Sequence, residues 1–251
     1  MIDQTALAYV NLHGIFGVIP MLCKLDSEAN KLIQGTNVSI GFDVKGGPSG
    51  TLIFKDGECR YEEGIKNPKI KLPFSSPEKF NGMIDGTVTP VPSKGFTHIG
   101  FLLKKFMPLT DILTKYLRAS EEDLKNEEFF KKSTELMLYV IAGAVAQLGN
   151  NDPVSRASAS YIADGKMLIK IIDGPSAMVI AENHKLKAVY GSCEDYRSYM
   201  SFADINVARD LFDGKINAVA AIGTGDVRVG GMVSQMDNVN RILDRVALYL
   251  A

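Results

Sequence analysis

Apolar and polar residues alternate over several short stretches of the chain, the pattern of half-buried β-strands. In the first of these stretches four apolar residues share one face: Val38, Ile40, Phe42 and Val44. The apolar run Thr51–Phe54 follows, and Asp56-Gly57 separates it from Glu58–Glu63, which is a strong hairpin signal. Strands are also predicted further along the chain, over Lys166–Ile172, Ala177–Ala181 and Leu186–Tyr190.

Other segments carry apolar residues three and four positions apart, as amphipathic helices do. The clearest lies near the C-terminus: Met232, Met236, Val239, Ile242, Leu243, Val246 and Leu250. Ser75–Ile84 has serine and proline at its start and ends at Asp85-Gly86, which predicts a capped helix with a glycine stop. An extended stretch is expected over Lys215–Gly231. Strands with helices before and after them indicate an α+β fold.

The chain contains an internal repeat. PFSSPEKFNGMIDGT (Pro73–Thr87) and SFADINVARDLFDGK (Ser201–Lys215) each place Asp-Gly eleven residues after a phenylalanine, at an offset of 128 residues. Gly-Pro-Ser also recurs, at 47–49 and 174–176. These matches predict two copies of one unit, residues 1–125 and 126–251. The junction Arg118–Glu135, in which ten of eighteen residues are charged, suits a solvated helix face or a hinge.

Composition restricts the class of protein. With a net charge of −1, the chain has no basic field for nucleic acid. The three cysteines have no metal-ligand or redox spacing, so free thiols in a reducing, cytoplasmic compartment are expected. The apolar stretch Ala6–Leu22 lacks a basic flank before it, so a buried helix is favoured over a signal sequence or a membrane span.

No catalytic signature is found. In the glycine-rich GTGDVRVGG, Arg228 occupies the position of the third glycine of a dinucleotide-binding motif. Neither Gly-Pro-Ser fits a nucleophile elbow, and His13, His98 and His184 are scattered. The expectation is a protein without enzyme activity, metal or cofactor.

The region Lys166–Leu250 resembles the C-terminal part of sterol carrier protein type 2 domains. The residues that carry the resemblance are Gly214, Lys215, Ala218, Ala220, Gly225, Val227, Val229 and Gly231. It is weaker in the first copy, where Pro90 and Pro92 predict an edge or irregular strand. The resemblance implies two tandem units, each a mostly antiparallel sheet of about five strands with helices on one face. It also implies an apolar tunnel for sterols, fatty acids or acyl chains between the layers.

On this basis the chain is expected to bind a long-chain hydrophobic ligand (a fatty acid, acyl thioester or sterol-like lipid) for carriage or buffering. The alternative is a pseudo-symmetric scaffold or accessory subunit without lipid. Transient membrane contact and a protein partner are both compatible with these hypotheses. Arg228 is a candidate for a ligand carboxylate, and Met200 for the pocket. The ligand-binding candidates are Phe202, Leu211, Phe212, Val229, Met232, Met236 and Leu243 in the second copy, and Phe74, Phe80, Met83, Ile84, Phe101 and Phe106 in the first.

Overall fold

The structure is a computed structural model that describes residues 2–250. The chain divides into two compact units, Met1–Leu136 and Met137–Ala251. The boundary expected at 125/126 stays a prediction. The first unit contains, in chain order, α1 (Gln4–Tyr9), α2 (Ile19–Leu25), α3 (Ser27–Ile33), β1 (Asn37–Val44), β2 (Ser49–Lys55), β3 (Glu58–Glu63), β4 (Ile70–Phe74), α4 (Pro77–Ile84), α5 (Ile99–Phe101) and α6 (Met107–Leu117).

Short π-helical and 3₁₀ turns join some of these helices: Val10–Ile15, Phe16–Val18, Phe96–His98, Leu102–Phe106 and Asp123–Lys125. Helix α7 (Glu127–Asn151) begins before the division between the units and ends after it. The second unit continues with α8 (Pro153–Ala159), β5 (Gly165–Ile171), β6 (Ser176–Glu182), β7 (Lys185–Tyr190), β8 (Ser198–Phe202), α9 (Ile205–Phe212), α10 (Ala218–Thr224), β9 (Val227–Gly231) and α11 (Val233–Leu250).

Each unit contains one mixed sheet. The strand order is β3-β2-β1-β4 in the first unit and β7-β6-β5-β8-β9 in the second. The pairs β1·β4 and β5·β8 are parallel, and the remaining neighbours are antiparallel. The predicted α+β class with two tandem units is therefore confirmed. The predicted number of about five strands describes the second unit, whereas the first has four.

The missing strand of the first unit is reduced to a single bridge between Lys71 and Lys94. Pro90 and Pro92 precede this bridge and cannot donate to a ladder, so the predicted irregular strand is confirmed. Gly95 follows with φ +87°, and an added Cβ would lie 2.3 Å from the carbonyl oxygen of Lys69. Gly231 holds the same place in the second unit, with φ +89° and 2.1 Å to the carbonyl oxygen of Arg197. The repeat thus includes this backbone contact.

The extended stretch expected over Lys215–Gly231 is wrong for its first half, because Ala218–Thr224 forms helix α10. The Asn217 side chain accepts hydrogen bonds from the backbone N–H groups of Val219 and Ala220 and caps the helix. Alanine has the highest helix propensity, and Gly225 ends the helix in the left-handed region. Only Val227–Gly231 is a strand.

A side-chain contact between two helices also repeats in both units. Asp26 caps α3 and accepts a hydrogen bond of 2.8 Å from the hydroxyl of Tyr116 in α6. Asp152 caps α8 and accepts a hydrogen bond of 2.7 Å from the hydroxyl of Tyr249 in α11. In the second unit Arg245 adds an ion pair of 3.1 Å to the same carboxylate. Each aspartate therefore joins the helix that precedes the first strand of its unit to a later helix, α6 or α11.

The environment of Asp152 favours its ionised form. Burial raises the pKa of this carboxyl, but hydrogen bonds from Arg245, Tyr249 and Ser155 outweigh burial and lower the pKa to about 2. In the first unit, burial and the neighbouring Asp26 raise the pKa of the Tyr116 hydroxyl. Both contacts serve the packing of helices.

The helical run Gln4–Leu25 has a mean hydropathy of 1.6 and is long and apolar enough to span a bilayer. Length and composition of this kind also suit a signal sequence or a core helix. Here 61% of its apolar window is buried, and Leu12, Phe16 and Ile19 are core residues of the first unit. The structure therefore agrees with the buried helix expected for Ala6–Leu22.

Candidate functional site

One face of the second sheet carries two of the predicted ligand-binding residues, Phe202 and Val229. Ser198, Met200 and Phe202 alternate along β8 and therefore point to the same side. The register pairs Met200 with Val229 and Phe202 with Val227, so these two valines of β9 lie on that side as well. Parallel pairing with β5 adds Ile169 beside Met200. Apart from Ser198, this face is entirely apolar.

Helices α9 and α11 cover this face. We call the interface between these two helices and strands β5, β8 and β9 the second-unit layer. The Phe212 ring of α9 lies 5.6 Å from the Phe202 ring at an interplanar angle of 77°. Ser198 donates a short hydrogen bond to the Gln235 side chain of α11. The Gln235 amide donates to the carbonyl oxygen of Ala163 at 3.2 Å. The polar atoms of this layer therefore bond to one another.

Six of the seven residues predicted for the second copy lie on β8, β9, α9 and α11, and Met232 lies between β9 and α11. Phe202 and Met236 are buried. Leu211, Phe212, Met232 and Leu243 are half-buried, and Val229 is 38% exposed. Of this set, Phe202 and Phe212 are brought into direct ring contact.

Arg228 does not join this layer. It lies between Val227 and Val229 on β9, so its side chain leaves from the opposite face of the sheet, where it is exposed. A meeting of Arg228 with a ligand carboxylate at a tunnel mouth stays a prediction. Arg209 of α9 is buried, and its guanidinium contacts Asp213 at 2.9 Å.

The first unit fills the corresponding space with aromatic rings. Phe42, Phe80 and Phe106 are buried, and their ring centroids lie 5.2–6.4 Å from the ring centroids of neighbouring phenylalanines. The remaining members are Phe16 and Phe74, the latter 5.2 Å from Phe80. Edge-to-face packing of this kind is the preferred arrangement of aromatic side chains. We call these five residues the phenylalanine cluster.

The six residues predicted for the first copy divide between this cluster and its edge. Phe74, Phe80 and Phe106 belong to the phenylalanine cluster. Phe101 contacts Phe54 instead, with ring centroids 5.3 Å apart. Met83 and Ile84 are half-buried at the end of α4. The structure thus brings three of the six into one packed core.

Equivalent positions in the two units differ in side-chain size. The parallel registers place Phe42 in the first sheet where Ile169 lies in the second. Helices α4 (77–84) and α9 (205–212) have the same length, and their bounds place Phe80 where Ala208 lies. Two phenyl rings of the first unit thus correspond to isoleucine and alanine in the second.

Sequence inspection missed Ser198, Gln235, Ile169 and Ala208. The signal for Ala208 was present, since the repeat aligns Pro73–Thr87 with Ser201–Lys215 at the same offset that pairs Phe80 with Ala208. The sheet face of Ile169 depends on which strand pairs with β5. That pairing is non-local and leaves no mark on the local pattern.

Titratable groups form a separate cluster in the first unit. His13, on the π-helical turn Val10–Ile15, contacts the hydroxyl of Tyr61 through its Nδ1 atom. Burial lowers the pKa of His13, and the nearby Glu63 carboxylate opposes that shift. Among residues 2–250, no group of three or more histidine, cysteine, aspartate or glutamate side chains is placed to hold a metal ion.

A surface recess of about 350 Å³ lies elsewhere in the first unit. Charged and polar side chains supply most of its lining, and the lining contains none of the predicted ligand-binding residues: Lys115, Tyr116, Glu122, Asp123, Asn126, Glu128, Phe129 and Lys132. Its character differs from that of an apolar lipid site.

No known protein family and no curated protein matches the sequence. Solved structures do match. The sterol carrier protein domain 2 of Helicoverpa armigera is 16% identical, covers 44% of this chain and 88% of its own, and has a TM-score of 0.36. Sterol carrier protein 2 from Yarrowia lipolytica is 21% identical, covers 40% and 92%, and has a TM-score of 0.30. The sec-alkylsulfatase Pisa1 from Pseudomonas sp. is 11% identical, covers 58% and 29%, and has a TM-score of 0.26.

The chain is therefore similar in structure to sterol carrier protein 2 domains over under half of its length. At these identities and scores the likeness concerns the fold and says nothing of ligand or activity.

Proposed function

We propose that the second unit binds a long-chain hydrophobic ligand without catalysis, for lipid carriage or buffering. The ligand is a fatty acid, an acyl thioester or a sterol-like lipid. One observation carries the proposal: the second-unit layer has isoleucine and alanine where the first unit has two buried phenyl rings. Smaller side chains at Ile169 and Ala208 would give an acyl chain the space that the two phenyl rings take in the first unit.

Burial supports the proposal further. Leu211, Phe212, Met232 and Leu243 are half-buried, so their apolar atoms are within reach of a ligand. Beside β9, helix α10 exposes Val219 by 77% and Ile222 by 41%, which gives the layer an apolar margin. Each CH₂ removed from water contributes about 0.8 kcal/mol. A long acyl chain can therefore bind tightly by burial alone.

The first unit fits the scaffold hypothesis. Its phenylalanine cluster fills the space that corresponds to the second-unit layer, and its members are at most 7% exposed. We therefore propose one ligand for each chain, bound in the second unit, while the first unit keeps a filled core. A pseudo-symmetric scaffold without lipid in either unit is the second candidate, and the aromatic packing of the first unit is the observation that favours it.

The variant Ala208→Phe introduces into the second unit the residue that the first unit holds at the equivalent position. If the layer has room for a ligand, the new ring fills it, displacement of a fluorescent fatty acid is lost and the fold is retained. If the layer is already close-packed, the ring overpacks it and destabilises the protein by about 1–3 kcal/mol. That second result contradicts the proposal.

Ile169→Phe repeats the test at the other equivalent position, on the sheet side of the layer. Leu72→Met is the matched control, because Leu72 of β4 occupies the place of Met200 in β8. The control should bind the fatty acid as the wild type does. Loss of binding in Leu72→Met would place the ligand in the first unit and overturn the assignment.

A further inference from the structure

The first unit exposes a row of large apolar side chains along one helical run. Phe96 is 60% exposed, Ile99 36%, Leu103 58% and Met107 52%. They follow one another at intervals of three, four and four residues, so they lie along one side of the run that begins at Phe96 and continues through α6. We call these four residues the apolar stripe.

The stripe is separate from the side of the run that builds the core. Phe106, Leu109 and Leu113 of the same run are buried. The run therefore meets its packing needs without the stripe. Contiguous exposed apolar groups of this kind mark interaction surfaces in soluble proteins.

The charges near the stripe are mostly basic, and exposed Asp111, four residues after Met107 on α6, is the acidic neighbour at its end. Residues 86–110 contain Lys94, Lys104 and Lys105 and no acidic residue. Residues 64–72 contain Lys66, Lys69 and Lys71, of which Lys71 is paired with the Asp43 carboxylate at 2.7 Å.

The two basic stretches are joined in the structure. The backbone bridge between Lys71 and Lys94 connects them, and the Lys94 ammonium donates to the Asn67 side chain at 3.2 Å. Lys66, Lys69, Lys94 and Lys104 are exposed. In a chain of net charge −1, this surface is a local concentration of positive charge.

We propose that the apolar stripe and these lysines form a docking surface for an anionic phospholipid membrane. The stripe enters the boundary between headgroups and acyl chains, and the lysines contact the anionic headgroups, as in interfacial amphipathic helices. A second copy of this surface is a poor partner, because two sets of lysines would repel each other. The inference does not depend on the lipid cargo proposed above.

Tryptophan fluorescence can test insertion with a single introduced reporter, because the chain contains no tryptophan of its own. Phe96→Trp places a single reporter on the stripe of the full-length, cargo-free protein. Vesicles that contain phosphatidylserine should shift its emission to the blue and protect it from acrylamide, whereas vesicles of phosphatidylcholine alone should do neither. Tyr161→Trp is the matched control, since Tyr161 is 74% exposed in the second unit and should respond to neither vesicle.

Co-sedimentation measures affinity. The double variant Leu103→Gln/Met107→Gln should lose binding to anionic vesicles by at least ten-fold, and the matched variant Val154→Gln, at a residue 60% exposed in the second unit, should not. Lys104→Gln should lose about five-fold, equivalent to about 1 kcal/mol for one lysine.

Equal binding to both vesicle types, or unchanged binding by the double variant, would overturn the inference. A blue shift of the reporter's emission that is caused by dimerisation in solution, without vesicles, would also overturn the inference. Cargo displacement is measured without vesicles, so a protein that carries lipid and fails to dock refutes only the docking surface.

Discussion

Phe80→Ala in the first unit tests whether the phenylalanine cluster is a packed core. The Phe80 side chain is fully buried, and its ring lies 5.2 Å from Phe74, 6.3 Å from Phe16 and 6.4 Å from Phe42. Truncation of a buried phenylalanine to alanine costs about 3–5 kcal/mol, because transfer free energy and cavity formation add. Loss of three ring contacts places the expected value at the upper end of that range.

The measurement is hydrogen exchange with peptide resolution, combined with urea unfolding. Two units need not unfold in one step, so a single global midpoint would be ambiguous. Peptides from β1 and α4 should lose protection, while peptides from β5 and α9 should keep theirs. A cost below about 1 kcal/mol would mean that the surroundings collapse or that the ring was never well packed, and either result refutes the filled first unit.

Three further predictions concern stability. Asp152→Asn should cost about 2 kcal/mol at neutral pH, because the folded-state pKa of about 2 lies below the unfolded value of about 3.9. That contribution is present above pH 4 and is lost as the pH falls toward 2, so denaturation curves of variant and wild type should converge in acid; a constant gap would contradict it. Gly231→Ala should lower the thermal midpoint of the second unit, since its Cβ would lie 2.1 Å from a carbonyl oxygen, whereas Gly223→Ala in α10 should raise it slightly. Burial lowers the pKa of His13, so acidification below about pH 6.5 should destabilise the wild type more than His13→Gln in urea titrations, and equal pH slopes would contradict this.

Local sequence signals predicted the repeated architecture well. The hairpin at Asp56-Gly57 is confirmed, with both residues at positive φ. The helix stops at Asp85-Gly86 and Asp213-Gly214 are confirmed, and both glycines are left-handed. These features depend on neighbouring residues alone, so the sequence displays them directly.

Features that depend on distant pairing could not be predicted in this way. Strands β4 and β8 are the parallel neighbours of β1 and β5, and nothing in their local sequence says which strand they pair with. Helix α10 was expected to be extended, because the resemblance outweighed the helix propensity of alanine and the cap at Asn217.

The candidate site shows the same limit. Apolar spacing on α9 and α11 identified residues that lie around the second-unit layer. The exchange of Phe42 and Phe80 for Ile169 and Ala208 became visible only when strand register and helix bounds placed these positions in equivalent surroundings. The comparison of units, rather than either unit alone, supports one working site.

Native mass spectrometry of the purified full-length chain, before and after delipidation, tests the central claim most directly. Solvent extraction of the same sample identifies any bound lipid. One long-chain lipid for each chain, lost on delipidation, regained on incubation with fatty acid and absent from Ala208→Phe, is the predicted result. A ligand-free mass for the wild type, together with no displacement of a fluorescent fatty acid at micromolar concentration, would contradict the account and leave the scaffold hypothesis in its place.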